Sequence, residues 1–302
     1  MNLRALEYFV AVAEGGNVTR AASTLHVTQS TLSIQLQKLE SELRTVLFER
    51  QHKKLILTQA GHGLLPLARQ AVQHARAMKQ LAATLHDPLS GRCRFGAFPT
   101  LAPYLLPHIM PTIHDALPKL RVELHEEKTA DLLHKLDTHA LDAALIALPV
   151  EQQAMRAIVL FAEPFYLAVP VSLNLRTPLT MESLPDFPLL LLDEGHCLRA
   201  QALEVCSRIG RSESGAFRAT SLETLRQMVA GGAGMTFIPA LAVPAMRAGG
   251  VRYLSLGAEA PMRQVGLVYR ASDPRTTLME ALADAIRNAL RHDKRLHVSP
   301  SR

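Results

Sequence analysis

Apolar residues recur at helical spacing from the start of the chain. Leu3, Leu6, Phe9, Val10 and Ala13 fall on one face, so residues 2–14 are expected to form a helix with one buried side. Ala21, Ala22 and Leu25 mark a short second helix from Thr19 to Leu25, suited to close packing. His26 and Val27 make a turn. The next helix, from about Thr28 to Leu43, buries Leu32, Leu36, Leu39 and Leu43 on one side. RQHKKLILTQAG, residues 50–61, reads as a β-hairpin. From about Gln59 to His86 the chain can form one long helix, roughly 40 Å at about 1.5 Å per residue. In it Leu64, Ala68, Ala71, Ala75, Met78, Ala82 and Leu85 alternate steps of four and three, a heptad seam, with Arg69, Arg76 and Lys79 on the outer face. Pro66 falls early in this helix, where a bend is expected. Asp87, Pro88, Ser90 and Gly91 end it.

Beyond Gly91 the pattern changes. RCRFGAF, YLAVP, FPLLLLD, GMTFIP and QVGLVYR read as strands, with amphipathic helical stretches between them, which predicts an α/β domain with largely parallel sheets. Several strands run into a helix start that bears a hydroxyl or thiol: Thr100, Thr129, Cys197, and Thr220 with Glu223 three residues on as a capping box. Ligands in open α/β sheets bind beyond the carboxyl ends of strands, among helix N-termini, so these junctions suggest a small polar pocket. Taken singly, each threonine is more often a simple helix cap.

Composition narrows the class. A chain of 302 residues exceeds one ordinary core, so two or three domains are expected. No apolar run reaches the roughly 20 residues of a membrane span. The opening MNLRALEYFVAVAEGG has the look of a signal peptide. Glu7 interrupts it and no small-residue cleavage site follows, so an amphipathic helix of a cytoplasmic protein is expected, with no membrane partner. The net charge of +6 is unevenly placed: residues 1–94 hold 12 Lys/Arg against 6 Asp/Glu, while the remainder holds 21 of each. Such a surplus suits a polyanion, although a solvated basic face explains the charge alone equally well. The start of the helix from Thr28 favours the polyanion. Thr28, Gln29, Ser30, Thr31, Ser33 and Gln35 suit contact with phosphates and base edges in a major groove, and Arg50, His52, Lys53 and Lys54 stand on the hairpin. Helices plus a basic hairpin make a winged helix-turn-helix, and the expected partner is double-stranded DNA.

Residues 1–61 carry the pattern TRAAxxLxVTQSTLSxQLxxLExEL…LFER…LTxAG and resemble the DNA-binding domain of LysR-type transcriptional regulators. They depart from it at Ile34, where many members carry arginine. The rest resembles the periplasmic-binding-protein-like effector domain of the same regulators, most strongly in RATSLETLRQMVAGGAGMTFIPALAVP, residues 218–244. The resemblance implies a winged helix-turn-helix over 1–58 and a dimerising linker helix and hinge over 59–90. A two-lobed α/β regulatory domain would follow over 91–302, lobe I being 91–161 with 266–302 and lobe II 162–265.

Three cysteines do not make a structural disulfide framework, so each is an inert core residue or a reactive thiol. At a helix start, with Arg199 nearby, the Cys197 thiolate is favoured. Cys206 lies nine residues later. If the intervening residues stay helical the α-carbons stand about 13 Å apart. A disulfide tolerates about 7 Å, so bridging would require unwinding. Two buried small hydrophobes fit the same spacing. GHCLRAQALEVC, FPTLAPYLLPHI (98–109) and MRQVGLVYR are similar to segments of the OxyR-type peroxide sensors within the LysR family, over essentially the whole chain.

That resemblance implies that Cys197 reacts with hydrogen peroxide to give a sulfenic acid and that Cys206 resolves it as a disulfide. Thr100, Thr129 and His196 would line the peroxide pocket with Cys197, and Arg263 would help stabilise the thiolate. It implies a homodimer or homotetramer acting at a promoter operator with RNA polymerase on oxidative-stress genes. A thiol reductant such as glutaredoxin or thioredoxin would reset it. The sequence departs at Ala216, where some relatives have histidine before FRATS. Cys93 is expected to be a buried strand thiol. The 13 histidines show no metal-ligand spacing, and no phosphate loop or hydrolase triad occurs, so no metal, organic cofactor or enzymatic activity is expected. Two other readings fit parts of the chain. One is a LysR-type regulator of a small organic ligand, its cysteines incidental. The other is a thiol peroxidase using Cys197, which the DNA-reading helix and wing oppose.

Overall fold

A computed structural model describes the chain except residues 52–53, 85–86, 176–178, 181–183, 185–186, 196–197, 200, 204–217, 246–248, 258–259 and 301–302. Of Arg50, Gln51, Lys54, Ala77, Gln80, Leu81, Ala83, Thr84 and Arg218 it describes the backbone alone. Two compact units emerge, Met1–His86 and Asp87–Arg302.

In the first unit α1 (Leu3–Gly15) begins where the Asn2 side chain accepts from the Ala5 amide and ends at Gly16, whose φ is 61°. It buries Ala5, Leu6, Tyr8, Phe9 and Val12, so the leader-like opening is a core helix. Asn17 caps α2 (Val18–Thr24), and Thr28 caps α3 (Gln29–Leu43). His26 turns the chain between them with a left-handed φ of 52°. The hairpin pairs β1 (Phe48–Gln51) with β2 (Lys54–Leu57), beginning before the expected residue 50. Gln59, Ala60 and Gly61 do not extend the wing: they open α4 (Gln59–Thr84). The cause is Thr58, whose hydroxyl accepts from the Gly61 amide at 3.0 Å and donates to the Val46 carbonyl at 2.6 Å. That ties the helix start to the foot of the hairpin. The face α4 gives to its own unit is Leu65, Ala68 and Val72. The seam positions Ala71, Met78 and Ala82 lie beside that face and are exposed.

The second unit contains, in order, β3 (Gly91–Ala97), α5 (Ala102–Ala116), β4 (Leu120–Glu126), α6 (Thr129–Asp137), β5 (Ala143–Leu148), β6 (Met155–Pro170), β7 (Leu191–Leu192) and β8 (Arg218–Ala219). Then come α7 (Leu222–Ala230), β9 (Thr236–Pro239), β10 (Val251–Ser255), β11 (Met262–Arg270), α8 (Thr276–Leu290) and β12 (His297–Val298). The main sheet runs β10-β6-β11-β5-β3-β4, with β9 and β12 also on β6. Pairing is parallel at β3–β4 and β3–β5. It is antiparallel wherever β6 meets β9, β10, β11 or β12, and where β11 meets β5. The expectation of largely parallel sheets is therefore corrected. β6 carries the chain out of one core and β11 carries it back, and strands running opposite ways pair antiparallel.

β6 serves two cores. Leu160 and Phe161 pack with Phe95, Leu145, Leu267 and Leu282. Phe165, Leu167 and Val169 pack with Leu191, Leu225, Phe237 and Leu254. α6 lies hard against β3 at Gly96, where a Cβ would stand 2.6 Å from Leu132 Cδ2 and 2.9 Å from Leu141 Cδ1. The start of α7 also departs from expectation. Its cap is Ser221, whose hydroxyl accepts from the Thr224 amide at 3.2 Å, while Thr220 is exposed just before it. Glu223 sits at the second helical residue and receives Arg226 and Gln227, so no capping box forms on Thr220.

Candidate functional site

Arg263 of β11 and Glu163 of β6 are direct cross-strand partners where the chain passes between the two cores. Arg263 is 1% exposed and Glu163 0%. The Arg263 Nε donates to Glu163 Oε2 at 2.7 Å, Nη1 to the Thr100 hydroxyl at 3.1 Å and Nη2 to the Thr100 carbonyl at 3.1 Å. The rings of Phe98 and Phe165 lie 5.1 and 5.8 Å from the guanidinium carbon. Glu163 Oε1 is itself held by the Leu241 amide at 2.7 Å. The carboxylate matches the arginine's charge, so what the arginine supplies to its surroundings is mainly orientation. The Thr100 oxygen is occupied as an acceptor, which leaves its O–H to donate elsewhere.

Thr100 follows β3, just before α5, and is 2% exposed. It does not cap that helix: the cap position is Leu101, without a side-chain bond. Thr129 opens α6 with Lys128 at the cap position, and its hydroxyl is buried with no hydrogen-bond partner among the described residues. Lys128 Nζ reaches across to donate to the Glu194 carbonyl at 2.8 Å. The turn at 193–195 follows β7; Asp193 accepts from the Glu194 amide at 2.8 Å, and its own amide donates to the Ala219 carbonyl at 2.8 Å. Gly195 has a φ of 86°, a conformation that favours glycine. His196, Cys197 and Cys206 lie outside the described residues. Between the two cysteines Leu198 and Ala202 are buried in the second core, and Arg199 donates to the Leu192 carbonyl at 3.2 Å.

Cys93 is fully buried on β3, and burial, with Asp142 nearby, pushes its thiol up to about 12. At neutral pH it is protonated and a poor nucleophile. Burial likewise pushes the Tyr104 phenol, which packs against both cores, up to about 12. Glu163 and Lys128 are the residues that sequence reasoning missed. A carboxylate inside the apolar run FAEPFYLAVP, facing a strand that carries an arginine, was the available signal for the first. For the second, a cation beside a helix start says nothing by itself about a contact 66 residues away.

In the first unit Thr28, Gln29, Ser30 and Thr31 are exposed at the start of α3, while Ser33 and Gln35 are half-buried. Thr28 is engaged as the cap, bonding the Thr31 amide and the hydroxyls of Ser30 and Thr31. Gln29 Oε1 receives the Thr19 hydroxyl at 3.2 Å, which fixes α3 to α2. Ile34 stands 60% exposed on the same helix. The backbones of Arg50 and Lys54 belong to β1 and β2, and Lys53 lies outside the described residues.

Comparison with known proteins agrees with both units. Residues 3–62 match the bacterial regulatory helix-turn-helix protein, lysR family, and residues 86–291 match the LysR substrate binding domain. The chain belongs to the LysR family. Within it the chain is 46% identical over 292 residues, 95% of each protein, to Escherichia coli K12 "DNA-binding transcriptional dual regulator OxyR". The same figures hold for "Hydrogen peroxide-inducible genes activator" of E. coli O6:H1. A full-length OxyR variant from Pseudomonas aeruginosa superposes with a TM-score of 0.75 at 37% identity, covering 95% of this chain and 98% of that one. An OxyR mutant from Corynebacterium glutamicum with hydrogen peroxide bound gives 0.67 at 32% identity, over 96% and 92%. This LysR-type chain is thus a member of the OxyR group, with an N-terminal helix-turn-helix and a mixed α/β regulatory unit. No helix among the described residues is long and apolar enough to cross a membrane.

Proposed function

We propose that this regulator binds promoter DNA through its first unit and is switched by hydrogen peroxide through Cys197 and Cys206 in its second. The observation that carries the reading is the pair of buried threonine hydroxyls at two strand-to-helix junctions. Thr100 is held by Arg263 with its proton left to donate, and Thr129 is unpaired among the described residues. Buried donors with no acceptor among the described residues suit a small oxygen ligand.

In this reading the Cys197 thiolate attacks one peroxide oxygen. The S–O bond forms, the O–O bond breaks, and hydroxide leaves to be protonated to water. The Cys206 thiolate then displaces the second oxygen as hydroxide, which takes up the other thiol proton. Two thiols and one peroxide give one disulfide and two waters. Thr100 and Thr129 donate to the peroxide, His196 completes the pocket, and Arg263 acts by fixing Thr100. Because the sulfurs are nine residues apart, bridging refolds the intervening segment and repositions the DNA-binding units. The bridge then waits for a dithiol reductant such as glutaredoxin or thioredoxin, so the chain is a switch and not an enzyme.

The same proposal takes Thr28, Gln29, Ser30, Thr31, Ser33, Gln35, Arg50, Lys53 and Lys54 as the DNA-facing set. It places RNA polymerase downstream in the cytoplasm, and assembly as a dimer or tetramer through α4 and the regulatory units. It keeps boundaries at 58/59 and 90/91, with lobes meeting at 161/162 and 265/266.

The test is to treat reduced protein with one equivalent of hydrogen peroxide and map its peptides by non-reducing mass spectrometry. A Cys197–Cys206 linkage forming within seconds and reversed by dithiol is expected. Both thiols remaining reduced would sink the redox reading and leave a LysR-type regulator of some other signal.

A further inference from the structure

Lys128 joins α6 to the turn that leads to Cys197. It stands at the N-terminal end of α6, whose Leu132 and Leu136 belong to the first core, and is half-buried. Its ammonium donates to the Glu194 carbonyl at 2.8 Å. Its stem lies over Gly195: a Cβ there would meet Lys128 Cδ at 3.0 Å and Nζ at 3.5 Å. Gly195 therefore does two things, adopting a φ of 86° and leaving room for the lysine. Cys197 comes two residues later in the chain.

The other charges on these two elements are engaged or turned outward. Glu127 pairs with Lys135, and Asp131 is exposed on α6. Asp193 accepts from the Glu194 amide, and Arg199 donates to the Leu192 carbonyl. Glu194 is exposed and keeps its own contacts. Lys128 is bonded to a carbonyl, which carries no formal charge, so among the described residues its positive charge is left to act on the segment.

We propose that Lys128 is a positioning residue for Cys197, holding the 194–195 turn against the first core and placing a cation on that turn, two residues before the cysteine in the chain. The inference rests on the peroxide reading above and adds a residue to it. An exposed amine–carbonyl bond of this kind adds little to stability. Its consequence is where a charge and a turn are kept. A cation held there favours the thiolate, the form that attacks peroxide.

The test is the pH profile of Cys197 alkylation by iodoacetamide, read on its own peptide by mass spectrometry in the full-length protein, for native, Lys128→Met and Lys128→Arg. Lys128→Met is expected to move the midpoint alkaline by about half to one pH unit, the size of effect that removing one nearby surface charge has. Peroxide oxidation at neutral pH should slow about threefold or more, following the smaller thiolate fraction. Lys128→Arg should stay close to native. A Met profile that coincides with the native one overturns the inference, as does an Arg variant shifted as far as the Met variant. If native protein forms no Cys197–Cys206 bridge while the Met profile still shifts, the peroxide reading fails and the role of Lys128 stands.

Discussion

Arg263 is a cation cut off from water, and a single carboxylate makes that tolerable. An isolated buried charge costs several kcal/mol, and pairing recovers it only where the remaining donors are satisfied. Here Glu163 takes the charge, Thr100 takes two N–H groups, and two phenylalanine faces cover the plane. The pair says little about net stability, because an apolar replacement of both residues is often neutral. Breaking it is another matter. Glu163→Gln leaves the guanidinium uncompensated, and urea unfolding of the regulatory unit should register a loss of about 3–5 kcal/mol. A loss below about 1 kcal/mol would mean that water or a rearranged neighbour reaches the arginine, contrary to its burial. Family likeness singled the arginine out in the sequence. Its partner was not legible there, since a strand shows which face a residue takes and gives no hint of which strand lies opposite.

Helix caps show the same limit one level up. RATSLETL offers two adjacent hydroxyls, Thr220 and Ser221, with Glu223 three residues after one and two after the other. Composition cannot choose between them; the backbone does, because Ser221 has the extended conformation a cap requires and bonds the Thr224 amide. Ser221→Ala should therefore cost about 1 kcal/mol of stability. Thr220→Ala should stay within about 0.5 kcal/mol, as exposed substitutions do. Thermal melts of the two variants decide it, and the reverse order would reinstate the capping box on Thr220. The helix-turn-helix was readable almost residue by residue because each of its helices is short, amphipathic and capped in the sequence. β6 was readable only as YLAVP, since Arg156, Glu163 and Pro164 interrupt the apolar run that a strand of 16 residues would otherwise display.

At the scale of the molecule, charge and chemistry are divided between the units. The surplus of basic residues lies at the N-terminal end, and the regulatory unit has the buried hydroxyls and the cysteine pair. Affinity for an operator duplex should therefore fall about a hundredfold as salt rises from about 50 to about 200 mM, the loss that about four neutralised phosphates produce. Binding that hardly changes over that range would argue that bases and shape carry the contact without the basic hairpin. The division into a DNA-binding and a sensing part was plain in the sequence, through the charge asymmetry and the change from helical to strand periodicity near Gly91. The antiparallel return through β6 and β11 was not, because strand direction is a property of connections and not of local pattern.

That return has a consequence for biosynthesis. The second core draws its residues from Phe165 to Leu256, whereas the first, begun at Cys93, still needs Val265, Leu267 and the α8 residues Leu278, Leu282 and Ile286. On the ribosome the order is inverted: the core that starts first is completed last. Until β11 and α8 emerge, β3, β4 and β5 have α5 and α6 beside them but lack the strand and helix that complete their core. A nascent chain that has emerged only a little beyond Leu256 would carry a finished second core and an open first one, a natural client for a chaperone.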